Sequence, residues 1–320
     1  MPLIQSAPSP IAAAARGDGA SDEPGPGGGT SKPARRAAAS AVSAALLCSV
    51  ASSRRAPGSA GASGGPAASV VLSADNEGDL QKTLDEIQKG SGGGGGGRLS
   101  AAPADALDPQ AVDHVLQQAL RAHGRVDAVA CCVGNVEARS LLATELAELD
   151  RVVKVNLHTQ FNAMLPNEQH QGQGQQAAGG GGGGGGGVGR QGPSSGSVVM
   201  VSAALAGHGI PNYDAFTAAK AAVEGLMRAA AATYAPHRVR VNCVAPGLVE
   251  TGQTEKFTGN ERVKHASEAM HPAKRLVGAD EVAQAVHFLM AGPAAITGQV
   301  LAVDAGLAHL HADRAQDYGV

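Results

Sequence analysis

Tryptophan is absent from this 320-residue sequence, and other aromatic residues are scarce, with three Tyr and four Phe. The formal charge of −3 is close to neutral, and no run of Lys or Arg is longer than two residues. Nucleic-acid sites need a basic surface, and single-strand sites also need stacking aromatics, so no nucleic-acid partner is expected. The best apolar run, 41–51, has eleven residues, whereas a membrane span needs roughly 18. We therefore expect a soluble protein without a membrane partner.

Cysteine is also sparse, and the four that occur, Cys48, Cys131, Cys132 and Cys243, lack ligand spacing such as Cys-x-x-Cys. The adjacent pair lies inside an apolar run. Small buried hydrophobic residues in a reducing compartment are the simplest interpretation. No metal site is therefore predicted.

Glycine, by contrast, is abundant at 45 residues, and much of it lies in the runs 92–97 and 179–187. Burial within such runs cannot offset the entropy lost on ordering them. We therefore predict disordered Gly-rich insertions near 90–97 and 168–192.

The first 60 residues are rich in Ala, Ser, Gly and Pro. They are predicted to be either a disordered tail or an organelle transit segment, so the compartment stays open between a chloroplast or mitochondrion and the cytoplasm. Residues 61–310 are predicted to form one domain, followed by a C-terminal tail over 311–320.

From residue 70 onward, short apolar runs alternate with amphipathic segments, which is typical of βα repeats around a parallel sheet. One helix has clear boundaries, because Asp108 can cap it, Pro109 suits its first turn and Gly124 its end. The predicted strands are Val70–Leu72, Arg98–Ala101, Val126–Val133, Ser197–Val201, Val239–Val244 and Gln299–Val303. The other predicted helices are Glu77–Lys89, Glu145–Ala163, Tyr213–Tyr234 and Asp280–Met290. This pattern predicts an α/β fold with a Rossmann-like, doubly wound parallel sheet and helices on both faces.

Several motifs follow one another along this pattern. Residues 129–134 read Val-Ala-Cys-Cys-Val-Gly, 241–251 read Val-Asn-Cys-Val-Ala-Pro-Gly-Leu-Val-Glu-Thr, and 298–306 read Gly-Gln-Val-Leu-Ala-Val-Asp-Ala-Gly. Together with Asp105 and Asn156, they resemble the short-chain dehydrogenase/reductase family in order and distance over about 240 residues. Within that family the chain looks most like the 3-oxoacyl-acyl-carrier-protein reductases.

The resemblance implies an NAD(P)-dependent oxidoreductase that acts on a small carbonyl or alcohol substrate and forms a homo-oligomer. It implies that Asp105 bonds the adenine, that Val249 and Thr251 contact the carboxamide and diphosphate, and that the main-chain carbonyl of Asn156 holds a water molecule. The implied cofactor-binding residues are Gly61, Gly65, Asp75, Asp105, Gly134, Lys220, Pro246, Gly247, Val249 and Thr251. We expect NADP or NAD, with a slight preference for NADP.

The catalytic positions depart from the family pattern. Members place a proton-carrying Tyr four residues before the Lys and a Ser thirteen residues before that Tyr; here these positions are Phe216 and Ala203. Ser202 and Tyr213 are the nearest substitutes, because Tyr213 lies about one helical turn before Phe216. The candidate catalytic residues are Lys220, Asn156, Ser202 and Tyr213. The alternative is a catalytically inactive binding or scaffold protein with the same fold.

The phosphate-binding end departs as well. Gly61 and Gly65 match two glycines of the family's phosphate loop, but four residues separate Gly65 from the strand at Val70. A crossover between parallel strands needs about a dozen residues. We therefore expect an incomplete first βα unit, or an Ala-rich segment over 34–53 that packs as a replacement helix. In the family, a residue just after the second strand contacts the adenosine ribose, and Asp75 lies at or within one residue of that position.

Overall fold

The computed structural model describes residues 49–51, 69–90, 99–164 and 196–310. Predictions made for other residues lie outside this part of the chain. They include the tails, the two Gly-rich insertions and the proposed phosphate contacts Gly61 and Gly65.

The described strands form two sheets. In chain order they are β1 (Ser49–Ala51), β2 (Ser69–Leu72), β3 (Leu99–Ala101), β4 (Ala128–Cys131), β5 (Gly196–Val201), β6 (Val239–Pro246) and β7 (Val300–Val303). The sheet β4-β5-β6-β7 is parallel throughout. In the sheet β1-β2-β3, strands β2 and β3 are parallel, whereas β1 runs antiparallel to β2.

The described α-helices connect these strands. They are α1 (Glu77–Gly90), α2 (Pro109–His123), α3 (Leu146–Val153), α4 (Thr159–Asn162), α5 (Asp214–Tyr234), α6 (Glu255–Thr258), α7 (Glu261–Met270) and α8 (Ala279–Ala291). A π-helical turn, Lys154–His158, joins α3 to α4. No described helix combines the length and the apolar character that crossing a membrane would need.

The boundaries of α2 confirm the sequence signals. The Asp108 side chain accepts a hydrogen bond from the Gln110 amide at 2.9 Å. Gly124 follows the helix in the left-handed conformation with φ 74°, and its amide donates to the Leu120 carbonyl at 2.7 Å. Neighbouring residues therefore provide hydrogen bonds for free backbone groups at both ends of α2.

The core lies on both faces of the parallel sheet. Val223 and Met227 of α5 pack against one face of β5 and β6. Val282 and Leu289 of α8 pack with Val199 on the other face. Strands covered on both faces need nearly continuous apolar sequence, which β5 and β6 have. The predicted doubly wound α/β fold is confirmed.

The two sheets share one hydrophobic cluster. Val71 of β2 packs with Val112 and Val115 of α2, and the same cluster includes Val129 and Cys131 of β4. Strand β1 lies beside β4 as well as β2. The two sheets therefore enclose a common core.

Three expectations need correction. Residues 49–51 form a strand, so a replacement helix over 34–53 is wrong for that part. The strand expected over Val126–Val133 is shorter, because only Ala128–Cys131 pairs with β5. Helices α6 and α7 were not predicted, although Val263, Ala266 and Met270 recur at helical spacing.

Candidate active site

A cleft opens where β4, β5 and β6 end. Segments following these strands supply its floor, including Gly134, Ser202 and the turn Pro246–Thr251, while α5 supplies Lys220. The cleft encloses about 1150 Å³ including its open mouth. Ligand sites in open α/β sheets form at the carboxyl ends of the strands, and this cleft has that position.

Lys220 is the buried cation of the cleft. Its side chain is 4% exposed, and Nζ donates a hydrogen bond to the Val201 carbonyl at 3.0 Å. Nζ lies 5.9 Å from the centre of the Phe216 ring. Burial lowers the pKa of Lys220 to about 8, opposed by the neighbouring thiols of Cys131, Cys243 and Cys132. Near neutral pH the ammonium can therefore release a proton readily.

Gly134 lets the backbone approach Lys220 closely. A Cβ at this position would lie 2.7 Å from Asn156 Oδ1 and 2.8 Å from Lys220 Nζ. Both distances are too short for a carbon atom, so the position accepts only glycine without rearrangement. Gly134 thus lets this backbone pack directly against the amine of Lys220 and the side chain of Asn156.

Asn156 lies behind this glycine, fully buried in the π-helical turn. Its Oδ1 accepts from the Asn135 amide at 3.1 Å, and its Nδ2 donates to Asn135 Oδ1 at 2.9 Å. The side chain therefore holds the segment that carries Gly134. A π-turn also disturbs the regular helix ladder, and such turns are frequent at functional sites.

Tyr213 and Phe216 form one wall of the cleft. Tyr213 is the residue that precedes α5 and is 7% exposed. It packs with Phe216, Ala203 and Val152 in a single hydrophobic cluster. Burial raises the pKa of Tyr213 to about 12. Its hydroxyl therefore keeps its proton near neutral pH.

Ser202 lies in the cleft floor, but its hydroxyl is directed at α5. Oγ donates to Glu224 Oε1 at 3.0 Å or to the Lys220 carbonyl at 3.2 Å. Glu224 is also paired with Arg228 at 3.0 Å. In this conformation Ser202 links β5 to α5 and does not offer its hydrogen to the cleft.

The Pro246–Thr251 turn is held from behind. A Cβ on Gly247 would lie 2.8 Å from His271 Nε2 and 3.1 Å from the Asp304 Cα atom. The Thr251 amide donates to Thr254 Oγ1 at 2.9 Å. The turn therefore lies close to the segments after α7 and β7, and Gly247 permits that approach.

The structure thus brings eight predicted site residues to the cleft lining: Gly134, Ser202, Tyr213, Lys220, Pro246, Gly247, Val249 and Thr251. Asn156 contacts that lining from behind. Asp75 and Asp105 follow β2 and β3 and are exposed outside the lining. Asp105 Oδ1 accepts from the Leu107 amide at 2.8 Å, so it is part of a turn.

Sequence reasoning missed several lining residues, including Asn135, Val136, Phe257, Met270 and His271. His271 is 2% exposed, and its Nδ1 lies 2.7 Å from the Ser267 carbonyl oxygen. Only the helical spacing of Val263, Ala266 and Met270 gave a sequence signal. In the part of the chain that the structure describes, no group of three or more His, Cys, Asp or Glu side chains could hold a metal ion.

Comparison with known proteins gives consistent matches. The family model described as short chain dehydrogenase matches residues 63–174, and the model described as Enoyl-(Acyl carrier protein) reductase matches residues 188–308. A cyclohexanol dehydrogenase from Acinetobacter sp. (strain SE19) is 32% identical over 241 residues, covering 74% of this chain and 83% of the relative.

Two further matches agree with these. A 3-oxoacyl-[acyl-carrier-protein] reductase from Thermotoga maritima is 28% identical over 235 residues, covering 72% of this chain and 85% of the relative. A solved short-chain type dehydrogenase/reductase from Mycobacterium ulcerans superposes with a TM-score of 0.61 at 23% identity, covering 78% of this chain and 84% of that chain. At that identity the superposition supports the fold alone.

Proposed function

The chain belongs to the short-chain dehydrogenase/reductase family, and from this premise we propose that it interconverts a small carbonyl compound and its alcohol with NADP or NAD. The observation that carries this proposal is the arrangement of Lys220 behind Gly134 and beside the Pro246–Thr251 turn. It keeps a buried amine in the cleft lining, packed closely against a backbone that carries no side chain.

The residues around this space fit the nicotinamide half of such a cofactor. Gly134 and Gly247 both line the cleft, and a position without a side chain leaves the backbone open to close approach by a flat ring. When bound, the cofactor would supply or accept the hydride. We propose that Lys220, Val249 and Thr251 hold its nicotinamide half, with Pro246 and Gly247 beside them.

The other half of the cofactor requires contacts beyond the cleft. We propose Asp75 for the ribose, Asp105 for the adenine, and Gly61 and Gly65 for the phosphates. The support for the two acids is their position after β2 and β3 on the parallel part of that sheet. Family members use NAD(P), and the titrations described below compare the two nucleotides.

Proton transfer is assigned to Lys220, with Tyr213 as a supporting hydrogen-bond donor. A general acid works best when its pKa is near the working pH. The pKa of Lys220 is about 8, whereas that of Tyr213 is about 12. In reduction, Nζ would give its proton to the substrate oxygen, and the Tyr213 hydroxyl would orient that oxygen.

Asn156 and Ser202 act as positioning residues in this proposal. Asn156 holds the Asn135 segment, and through it the Gly134 backbone in front of Nζ. Ser202 bonds α5, which carries Lys220. Both therefore fix where the amine lies.

The test combines binding and turnover on the full chain. Fluorescence titrations with NADPH and NADH measure binding, and oxidation of either nucleotide with cyclohexanone measures turnover. Cyclohexanone is chosen because one relative is a cyclohexanol dehydrogenase. We expect saturable oxidation, a loss of about 10²-fold or more for Lys220→Met, and a smaller loss for Tyr213→Phe.

Other outcomes have defined meanings. A loss of about 10²-fold in Tyr213→Phe, with Lys220→Met less affected, would move the acid role to Tyr213. Nucleotide binding without turnover of any ketone or alcohol would favour the inactive binding protein, and no nucleotide binding would contradict the proposal.

A further inference from the structure

Two hydrophobic clusters form apolar walls of the cleft. One contains Tyr213 and Phe216 together with Leu205 and Ile210. The other contains Phe257 of α6 together with Leu248 and Met270. Val136 packs against both clusters, so it joins the two walls. All of these side chains line the cleft.

Charged groups near these walls bond one another instead of facing inward. Arg139 pairs with Glu148 at 2.9 Å, and Arg151 with Glu137 at 3.2 Å. The described lining contains no Asp, Glu or Arg.

The lining also contains His271, whose Nδ1 lies 2.7 Å from the Ser267 carbonyl oxygen. In a neutral imidazole Nδ1 then carries the hydrogen and Nε2 is an acceptor, which does not bond a carboxylate. A carboxylate held between the two walls would therefore lack a matching cation.

Lys256 is the exposed cation at the rim, and it bonds back onto the wall. Its Nζ donates to the Val136 carbonyl at 2.8 Å and lies 5.1 Å from the centre of the Phe257 ring. The contact ties α6 to the segment after β4. It thus closes the junction of the two walls.

Lys220 is the remaining ammonium of the lining, at the inner end of the cleft. It is 4% exposed, its Nζ is bonded to the Val201 carbonyl, and Nζ lies 5.9 Å from the centre of the Phe216 ring of the first wall. A charge on the far end of a substrate whose carbonyl meets Lys220 would lie among apolar side chains. Burying such a charge without a partner is strongly unfavourable.

We propose that the cleft between these walls selects an uncharged, apolar ketone or secondary alcohol and rejects the same skeleton when it carries a carboxylate. The inference rests on the proposed function for the reacting group, but the selection itself is a property of the two walls. It deepens that proposal by naming the substrate class.

The test uses a matched pair of ligands, 4-isopropylcyclohexanone and 4-oxocyclohexanecarboxylate. Their substituents have the same number of heavy atoms and the same branching, and they differ in charge. Ligand-observed NMR titration on the full chain with NADP⁺ present measures binding independently of turnover. We expect the neutral ketone to bind about 10²-fold more tightly than the carboxylate.

Variants then locate the selection. Met270→Arg places a cation on one wall and Leu205→Arg places one on the other. Each should reduce the affinity ratio of neutral ketone to carboxylate by about 10-fold, because the carboxylate gains a charged hydrogen bond. Leu142→Arg is the matched control, because Leu142 is 98% exposed and outside the lining. It should leave the preference unchanged. Thermal melting checks that each variant folds. Because the two wall variants lie in different clusters, the test still stands if one of them does not fold.

The outcomes separate this inference from the proposed function. Tighter neutral binding supports it even without turnover, in which case only the proposed function fails. Equal or tighter carboxylate binding, or no binding of either ligand, overturns it. A preference that responds to Leu142→Arg but to neither wall variant overturns it as well.

Discussion

The two sheets of this molecule differ in how much of the site they carry. The parallel sheet β4–β7 ends in Gly134, Ser202 and the Pro246–Thr251 turn, and all three line one cleft. The sheet β1–β3 ends in two exposed acids, Asp75 and Asp105, outside that lining. The reacting end and the adenine end of the proposed cofactor site are therefore built by different elements. The reacting end can therefore depart from the family pattern without any change at the adenine end, and the reverse also holds.

The physical basis of this difference is packing. Strands β5 and β6 have helices on both faces and pair over six residues, Gly196–Val201 with Val239–Val244. Strands β2 and β3 pair over three residues, and β1 joins them in the antiparallel direction. Longer pairing and burial on both faces fix side-chain directions more firmly. Substitutions in the first sheet should therefore affect binding less than substitutions around Lys220.

Gly134→Ala should have the largest effect. The new Cβ would displace Lys220 Nζ or Asn156 Oδ1, which would lie 2.8 and 2.7 Å from it. Overpacking of this kind costs about 1–3 kcal/mol of stability, and a 1 Å displacement of a catalytic group lowers the rate about 10²-fold. Denaturant unfolding and kcat/KM with NADPH and cyclohexanone measure the two effects.

Gly207→Ala is the matched control, because a Cβ there meets nothing within 4 Å. It should change neither quantity appreciably. If Gly134→Ala retained wild-type stability and turnover, the close packing of Gly134 against Lys220 would not position the amine for the reaction.

Phe216→Tyr should change activity in the opposite direction. Phe216 is the residue four before Lys220, and it occupies the wall that Tyr213 shares. A hydroxyl there would add a second proton-carrying group beside the amine and should raise kcat by up to about 10²-fold. Steady-state kinetics in Phe216→Tyr and in the double variant with Tyr213→Phe test this, since the gain should not depend on Tyr213. An unchanged or lowered kcat in a stable Phe216→Tyr protein would contradict it.

The sequence predicted those parts of the fold that depend on neighbours in the chain. Asp108, Pro109 and Gly124 bound α2 through contacts within one turn, and these were read correctly. Strands β5 and β6 were recognised because burial on both faces requires continuous apolar residues. The family motifs likewise predicted that Lys220, Gly134 and the Pro246–Thr251 turn belong together.

Features decided by distant contacts were not predictable in the same way. The direction of the Ser202 hydroxyl depends on Glu224, 22 residues later. The wall formed by Phe257 and Met270 depends on how α6 and α7 fold back over Val136. Nothing in the local sequence around β1 signals its antiparallel pairing with β2.

Lys220 should also make stability depend on pH. The pKa of Lys220 is about 8 in the folded protein and 10.5 in the ordinary case. Between these values the unfolded chain binds more protons, so stability should rise with pH by up to about 1.4 kcal/mol for each pH unit. The thiols act in the opposite direction as pH rises through their ordinary pKa of 9.0, because burial raises the pKa of Cys131 and Cys243 to about 12 and that of Cys132 to about 11.

The comparison with Lys220→Met over pH 8 to 9 removes the thiol contribution, because both proteins carry the same cysteines. Since the folded protein still holds Lys220 about half protonated at pH 8, urea unfolding should show wild type gaining about 1 kcal/mol over the variant across that unit. A difference that stays constant with pH would mean that the folded protein does not hold the amine at a lowered pKa. The assignment of Lys220 as the acid would then lose its basis.

The smallest expected effect lies in the first sheet, at Asp75. This carboxylate is exposed after β2, where it would accept a bond from a ribose hydroxyl of NADH and repel the extra phosphate of NADPH. An exposed charge contributes up to about 1 kcal/mol, so Asp75→Asn should shift the NADPH-to-NADH affinity ratio toward NADPH by roughly fivefold.

Asp85→Asn makes the same charge change at another exposed position, on α1, and should leave the ratio unchanged. Fluorescence titration of both variants with both nucleotides measures the ratio. If neither variant changed the NADPH-to-NADH affinity ratio while Gly134→Ala abolished turnover, the adenosine end of the cofactor would not contact the segment after β2. The two sheets would then differ in whether they contact the cofactor at all.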